Sequence, residues 1–177
     1  MRGRDHTCKQ RGCPKFSPLL AAPDTVAARL EMETNYFGTL AMCRAFAPIL
    51  GQNGGGALVN ILSAASWTTW AQLGSYGASK RAELALTIGV RIELRAQGTL
   101  VVGVFPGFVD TDMTSHVSGV KASPEQVVAA TLAGIVGDEE EIVPDEAAAR
   151  IKAALREDPA SEEARAQRVW DEGMTAR

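Results

Sequence analysis

The sequence lacks several features that would place it in special classes of protein. No run of about 18 apolar residues occurs, so no segment has the composition of a bilayer-spanning helix. Its 3 cysteines are an odd number, which argues against a secreted disulfide framework and favours a reducing cytoplasm. The net charge of −3 gives no reason to expect nucleic acid or an anionic membrane as a partner.

A glycine-rich nucleotide-binding turn is also missing from the printed sequence. No G-x-x-x-G-x-G or G-x-G-x-x-G pattern precedes Asn35, although such turns hold the pyrophosphate of dinucleotides at a helix N-terminus. The glycine run Gly54-Gly55-Gly56 follows a predicted helix and opens a predicted strand. A phosphate-binding loop has the opposite order, so we interpret this run as a flexible turn.

What remains is the composition of one ordinary globular domain. Hydrophobic residues make up 46% and charged residues 22% of the chain. We predict a disordered or foreign leader at 1–23, because its first part is polar, basic and aperiodic. Residues 24–158 would form the folded domain. Residues 159–177 would be a charged C-terminal tail. A loose helix that Trp170 docks onto the domain would fit this segment.

The apolar pattern alternates between helix and strand periods, which is typical of an α/β protein. Asp24 and Asp145 are candidate N-caps, and Ser123 with Pro124 and Gln126 matches a capping box. Helices are predicted from about Asp24 to Pro48, from Tyr76 to about Ala96, from Ser123 to about Val136 and from Asp145 to about Glu157. Buried strands are predicted at 57–62 and 99–105, and a short strand at 139–144.

Tyr76 and Lys80 stand four residues apart at the start of a predicted helix, so their side chains share a face. A free tyrosine has a pKa of about 10 and needs help to ionise near neutral pH. One positive charge about 4 Å away, at an effective dielectric near 20, supplies about 4 kcal/mol. With its pKa lowered by Lys80 in this way, Tyr76 is physically able to act as a proton-transfer catalyst if the site is shielded from bulk water. The spacing alone also fits a surface pair.

Three further features accompany this pair. Ser63 lies thirteen residues before Tyr76, at the end of the apolar run 57–62, where open α/β sheets place their ligands. Ser66 competes with it at ten residues before Tyr76. Asn35 occupies a mid-helix position that asparagine does not favour. The second apolar run ends in a Pro-Gly-x-Val-x-Thr stretch, at 106–111.

With these pieces in this order, the chain resembles the short-chain dehydrogenase/reductase family from about Thr34 to Met113, and more loosely to about Glu157. The resemblance implies an α/β fold built on part of a Rossmann-type doubly wound parallel sheet, its last three strands and their helices. It implies that Tyr76 is the general acid/base, that Lys80 lowers its pKa and binds the nicotinamide ribose, that Ser63 holds the substrate oxygen and that Asn35 supports a proton relay. It also implies that a nicotinamide pocket is lined by Pro106, Gly107, Val109 and Thr111.

The same resemblance implies the activity and the partners. The protein would pass a hydride between NAD or NADP and a secondary alcohol or carbonyl, with the choice of cofactor left open. It would form a homo-oligomer through the helices that contain Asn35 and Tyr76. The alternative is a truncated, non-catalytic remnant that acts at most as an interaction or dimerisation module, with an unpaired edge on its first strand and exposed apolar helix faces.

Two groups of residues invite a metal-binding interpretation, which we reject. His6, Cys8 and Cys13 fit no standard zinc spacing and lack an evident fourth ligand. Asp110 and Asp112 have no third ligand converging on them, so we interpret them as turn carboxylates. No metal is therefore expected. Trp67 and Trp70 fit either plain packing or the border of a substrate pocket.

Overall fold

The computed structural model describes residues 18–175 of the chain. The cysteines and the histidine of the N-terminal segment, and most of the predicted leader, lie outside that part. Helices and strands alternate along the described residues. The helices are α1 (Val26–Met32), α2 (Thr39–Gln52), α3 (Gly74–Leu94), α4 (Pro124–Val136), α5 (Glu146–Glu157) and α6 (Pro159–Thr175). The strands are β1 (Gly56–Ile61), β2 (Thr99–Val104) and β3 (Glu141–Ile142).

The helix starts follow the predicted capping chemistry in two of three cases. At α4, the Ser123 hydroxyl accepts a bond from the Gln126 amide, and the Gln126 side chain accepts one from the Ser123 amide at 2.7 Å, so the predicted capping box is confirmed. At α5, Asp145 Oδ1 accepts from an amide one turn into the helix at 2.9 Å. At α1, the N-cap position falls on Thr25, although Asp24 Oδ1 still accepts a bond from the Val26 amide at 2.9 Å.

The three strands form one parallel sheet, as the family resemblance implies, and their order is β1-β2-β3. Val59 lies opposite Val102 in the first pair, and Gly103 lies opposite Glu141 in the second. Parallel neighbours need a crossover connection, which α3 supplies between β1 and β2. All three strands therefore end at the same edge of the sheet.

Side chains on neighbouring strand positions point to opposite faces of the sheet, and both faces are covered. On one face, Val102 and Val104 pack with Val127 of α4 and Ile142 of β3 in a buried apolar cluster. On the other face, the Asn60 side chain donates to Thr87 Oγ1 of α3 at 3.0 Å and lies 3.9 Å from the Cys43 thiol of α2. The sheet is thus enclosed between α4 and the pair α2 and α3.

The prediction that β1 is a buried strand is wrong for part of its length. Ile61 is 50% exposed, and the first two residues of the strand are exposed too. The reason is pairing: among residues 18–175, β1 has β2 as its one neighbour and forms an edge of the sheet. Large apolar side chains are also exposed on the nearby helix, namely Met42, Phe46 and Ile49 of α2.

The charged C-terminal segment forms a helix that contacts the rest of the molecule. The Gln72 side chain donates to the Val169 carbonyl of α6 at 3.2 Å, and Trp170 is half-buried. The cation of Arg165 lies 5.9 Å from the centre of the Trp70 ring. Within residues 18–175, none of the helices combines the length and the apolar character that crossing a bilayer requires.

Candidate active site

The candidate site lies where β1 and β2 end and α3 begins. Ser63 follows β1, Pro106 follows β2, and the Ala64 amide donates to the Pro106 carbonyl at 2.9 Å. This bond joins the two strand ends beyond the last residues of the sheet ladder. Ligands of open parallel sheets bind outside the carboxyl ends of the strands, so this is the position that the fold favours.

Ser63 and Tyr76 are brought together at this edge. The Ser63 backbone is extended, and its Oγ accepts a bond from the Ala65 amide at 3.2 Å, which fixes the side chain at the start of a short 3₁₀ turn. The side chains of Ser63 and Tyr76 are hydrogen-bonded to each other. Ser66, the competing serine, is fully buried, and its Oγ has no hydrogen-bond partner within the described part of the chain.

The pKa of Tyr76 moves opposite to the expected direction. Burial raises the pKa of this phenol, the bond from Ser63 lowers it, and the carboxylates of Glu83 and Glu31 raise it further. The net pKa lies above the ordinary value of a tyrosine. The expectation that Lys80 makes the phenol easier to ionise is therefore not met in this state, because nearby negative charges and burial outweigh the help that Tyr76 receives.

Lys80 is buried beside Tyr76 and engaged in two strong contacts. Its ammonium donates to the Ile61 carbonyl at 2.8 Å and to Glu83 Oε2 at 2.7 Å. The other carboxylate oxygen of Glu83 accepts a bond from the Thr39 hydroxyl at 2.9 Å. The charge of Lys80 is thus paired one turn along its own helix, which explains why its effect on Tyr76 is offset.

Asn35 lies in a π-helical segment, Glu33–Gly38, between α1 and α2. Its side-chain amide donates to Ser79 Oγ at 2.9 Å, and Ser79 Oγ donates in turn to the Tyr76 carbonyl at 2.7 Å. Wide π turns inside helices are rare and occur often at functional sites. The segment places Asn35 against Ser79 of α3, about one turn after Tyr76.

The loop after β2 is anchored by Asp145, a residue that the sequence analysis considered only as a helix cap. The Gly107 amide donates to Asp145 Oδ2 at 2.7 Å. A Cβ at position 107 would lie 2.9 Å from Asp145 Oδ1, so a side chain there would displace the Asp145 carboxylate. Val109 forms a parallel bridge with Ala122, which returns the loop to α4.

Of the four residues predicted to line a nicotinamide pocket, the structure places two next to the serine. Pro106 is buried and Gly107 is half-buried at the strand ends, close to Ser63 through the Ala64 bond. Thr111 is exposed and starts the short turn Asp112–Thr114. Asp110, one of the carboxylates considered for a metal, pairs with Lys121 at 3.0 Å.

Comparison with known proteins decides the family. The profile of the family described as short chain dehydrogenase matches residues 12–121. The chain belongs to the short-chain dehydrogenase family. It is 42% identical over 107 residues to short-chain dehydrogenase ptmH of Penicillium ochrochloron. It is 31% identical over 137 residues to 1-deoxy-11-beta-hydroxypentalenate dehydrogenase of Streptomyces exfoliatus.

The structural comparison agrees with the sequence comparison. A short chain dehydrogenase from Burkholderia cenocepacia, solved in complex with NADP, superposes with a TM-score of 0.82 at 40% identity. The match covers 85% of this chain and 63% of that one. The chain spans 39% and 50% of the lengths of these two curated relatives. The predicted fold class, part of a Rossmann-type parallel sheet with its helices, is confirmed.

Two residues of the candidate site, Glu83 and Thr39, were not predicted from the sequence. The spacing of Lys80 and Glu83, three residues apart on one helix, was a visible signal for their ion pair. Thr39 lies forty-four positions from Glu83, so nothing in the local pattern could have joined them. Asn35 and Ser79 are separated by the same interval, and their bond was equally invisible.

The first tryptophan packs on Phe105, the residue that directly follows β2. Trp67 stacks on Phe105 with ring centres 4.3 Å apart, and Lys152 Nζ lies 5.1 Å above the Trp67 ring. It contributes to a cleft of about 350 Å³ between α3 and α5. The cleft is lined by Ser66, Trp67, Arg81, Leu84, Lys152, Leu155 and Arg156. Tyr76 is not part of this lining, so the packing interpretation describes Trp67 better than the substrate-pocket one.

Proposed function

We propose that this protein is an NAD(P)-dependent oxidoreductase that transfers a hydride between a nicotinamide cofactor and the carbon of a secondary alcohol or carbonyl. The observation that carries the proposal is the hydrogen bond between Ser63 and Tyr76 at the carboxyl end of β1. Two hydroxyl groups that meet at this edge can both contact one substrate oxygen. Membership of a family whose relatives are named dehydrogenases supports this assignment.

In the reducing direction, Tyr76 and Ser63 act on the carbonyl oxygen. A bound nicotinamide supplies the hydride to the carbonyl carbon. As the C=O double bond opens, its electron pair moves to the oxygen, which takes the proton of the Tyr76 hydroxyl. Ser63 donates a hydrogen bond that orients the oxygen, and Asn35 supports the return of a proton to Tyr76. Oxidation of the alcohol follows the same steps in reverse, with Tyr76 as the base.

The residues present fit the nicotinamide end of the cofactor. An ammonium has three N–H donors, and the Ile61 carbonyl and Glu83 use two of those of Lys80. The remaining donor would bind a ribose hydroxyl, together with Tyr76. Pro106, Gly107, Val109 and Thr111 would border the nicotinamide ring. The NADP complex of the Burkholderia relative favours NAD(P) as the cofactor, and the choice between NAD and NADP stays open.

We expect the native protein to bind NADPH or NADH with a Kd in the range of about 1 μM to 1 mM, as is usual for enzyme substrates. Fluorescence titration of each reduced cofactor measures the affinity. Lys80→Met should weaken binding, because it removes the ribose-binding ammonium. Lys152→Met is the matched control, since it also breaks a 2.7 Å ion pair, with Glu141, outside the site. Equal affinities in the two variants would contradict the role of Lys80.

The same titration separates the enzyme from its alternative, a non-catalytic interaction module. The exposed edge of β1 and the exposed apolar side chains of α2 favour a surface that binds another polypeptide. If neither NADH nor NADPH binds to the native protein at millimolar concentration, the interaction module replaces the enzyme as the function that we propose.

We also propose that two copies associate through α3 and the helical segment that contains Asn35. Ile88 and Ile92 lie four residues apart on α3, both exposed, and Ile92 is 67% exposed. Ile92→Glu should convert a dimer into a monomer, because it would bury a carboxylate against an apolar partner surface. Light scattering measures the mass, and Leu132→Glu on the exposed side of α4 is the control. A wild-type monomer would rule out the dimer.

A further inference from the structure

A continuous chain of hydrogen bonds crosses the candidate site from α2 to β1. The Thr39 hydroxyl donates to Glu83 Oε1 at 2.9 Å. Glu83 Oε2 accepts from the Lys80 ammonium at 2.7 Å, and the same ammonium donates to the Ile61 carbonyl at 2.8 Å. Three elements, α2, α3 and the end of β1, are thereby tied to the lysine.

The burial of Glu83 indicates that this series of hydrogen bonds is a specific feature of the fold. The residue is 3% exposed, and a carboxylate removed from water is tolerated only when it is paired and hydrogen-bonded. Both of its oxygens meet that requirement, one with Lys80 and one with Thr39. A buried carboxylate with no structural or chemical task would be replaced by an apolar side chain at little loss of stability.

We propose that Glu83 is a positioning residue of the hydride-transfer site, which fixes the ammonium of Lys80 beside the end of β1 and offsets its charge next to Tyr76. The inference rests on the proposed function. Because Glu83 and the Ile61 carbonyl each hold one donor of Lys80, the direction of the third donor is set before any cofactor arrives. Glu83 therefore acts through Lys80 and Tyr76 without touching the substrate.

The charged and titratable groups around Tyr76 come from three helices. Lys80 and Glu83 lie on its own helix, α3, and Glu31 lies on α1. The Cys43 thiol of α2 lies near Glu83, and its pKa is raised by burial first and by Glu83 last. For Tyr76, burial raises the pKa most, and the carboxylate of Glu83 adds to that rise. Removal of the Glu83 charge should therefore lower the pKa of Tyr76.

The first test measures this effect without any need for catalysis. The chain has only 2 tyrosines, so the Tyr36→Phe background leaves Tyr76 as the one phenol that titrates. Glu83→Gln keeps the shape of the side chain and removes its charge. The pH midpoint of tyrosinate absorbance should move to lower pH in this variant. Glu93→Gln, at an exposed position of the same helix, is the control and should leave the midpoint in place. An unchanged midpoint in Glu83→Gln overturns the proposal.

The second test addresses position instead of charge. Glu83→Asp keeps the carboxylate and shortens the side chain by one methylene, so the Lys80 ammonium must move. The Kd of NADPH, measured by fluorescence, should rise about tenfold, because small misplacements in such sites have large effects. An unchanged Kd overturns the positioning role, even if Glu83→Gln fails to fold. If the wild-type protein binds neither NADPH nor NADH, the proposed function fails, and the titration of Tyr76 still decides whether Glu83 acts on it.

Discussion

Replacement of Tyr76 by phenylalanine is expected to lower kcat by about 10²–10⁴-fold, the usual contribution of a general acid or base. The change removes one oxygen, the atom that would exchange a proton with the substrate. The aromatic ring stays, so the packing of this side chain at the start of α3 should be kept. Turnover of NADPH with acetophenone, or of NADP⁺ with 1-phenylethanol, measures the loss in the native protein, with the ketone and the alcohol serving as probes of carbonyl and alcohol chemistry.

Tyr36→Phe is the matched control, because Tyr36 is the other tyrosine of the chain and packs edge-on to Phe37. It should keep the wild-type rate. Cofactor affinity should fall only in part in Tyr76→Phe, since Lys80 still provides its donor to the ribose when the Tyr76 hydroxyl is gone. A Tyr76→Phe variant with the wild-type kcat would remove Tyr76 from the mechanism and with it the proposed reaction.

The raised pKa of Tyr76 predicts how the rates of ketone reduction and alcohol oxidation depend on pH. Near neutral pH the phenol holds its proton in this state, so Tyr76 is prepared to donate a proton to a carbonyl oxygen. Alcohol oxidation needs the phenolate, which becomes available only as the pH rises. Ketone reduction should therefore proceed at neutral pH, whereas alcohol oxidation should accelerate toward high pH. Both dependences should vanish in Tyr76→Phe.

The residues that carry the proposed chemistry could be predicted because their geometry is local. Tyr76 and Lys80 share a helix face, and Ser63 follows an apolar strand whose end is fixed by the sheet. The capping box at Ser123 was equally readable, since it depends on two residues three positions apart. For each of these, the relevant contact is set by the backbone period of one element.

The residues that tune the site could not be predicted, because their contacts join distant parts of the chain. Thr39 reaches Glu83 across forty-four positions, and Gly107 reaches Asp145 across thirty-eight. The burial of β1 was misjudged for a related reason. An apolar strand has the same sequence pattern at the centre and at the edge of a sheet, and only the number of neighbours distinguishes the two.

The prediction that the pKa of Tyr76 is lowered is wrong because burial of the phenol raises that pKa most, and two carboxylates raise it further. The spacing of Tyr76 and Lys80 indicates one ammonium a helical turn away from the phenol. It does not indicate the burial of the phenol, the Glu83 carboxylate that pairs with that ammonium, or the Glu31 carboxylate, which adds a second negative charge near the phenol. A charge on one helix face can be assigned from spacing, but the sum of charges in a site depends on every element packed around it.

Phe105→Ala is expected to have the largest effect on folding, a loss of about 3–5 kcal/mol of unfolding free energy. Phe105 is 0% exposed and follows β2 directly, at the point where the chain turns into Pro106 and Gly107. Its ring stacks on Trp67 with centres 4.3 Å apart. A Cβ at Gly103 would lie 3.0 Å from the same ring, so the phenylalanine fills the space that this glycine leaves.

Alanine at position 105 would leave a cavity at the end of β2. The close-packed neighbours of Phe105 could fill that cavity only in part. Urea denaturation of the native protein measures the change. Phe108→Ala is the matched control, because Phe108 lies three residues further on and is 41% exposed. It should lose less than about 1 kcal/mol, since little apolar area returns to water there. If the two variants lose the same unfolding free energy, the ring of Phe105 does not support this edge of the sheet. The position of Ser63 must then depend on the backbone hydrogen bond between Ala64 and Pro106 alone.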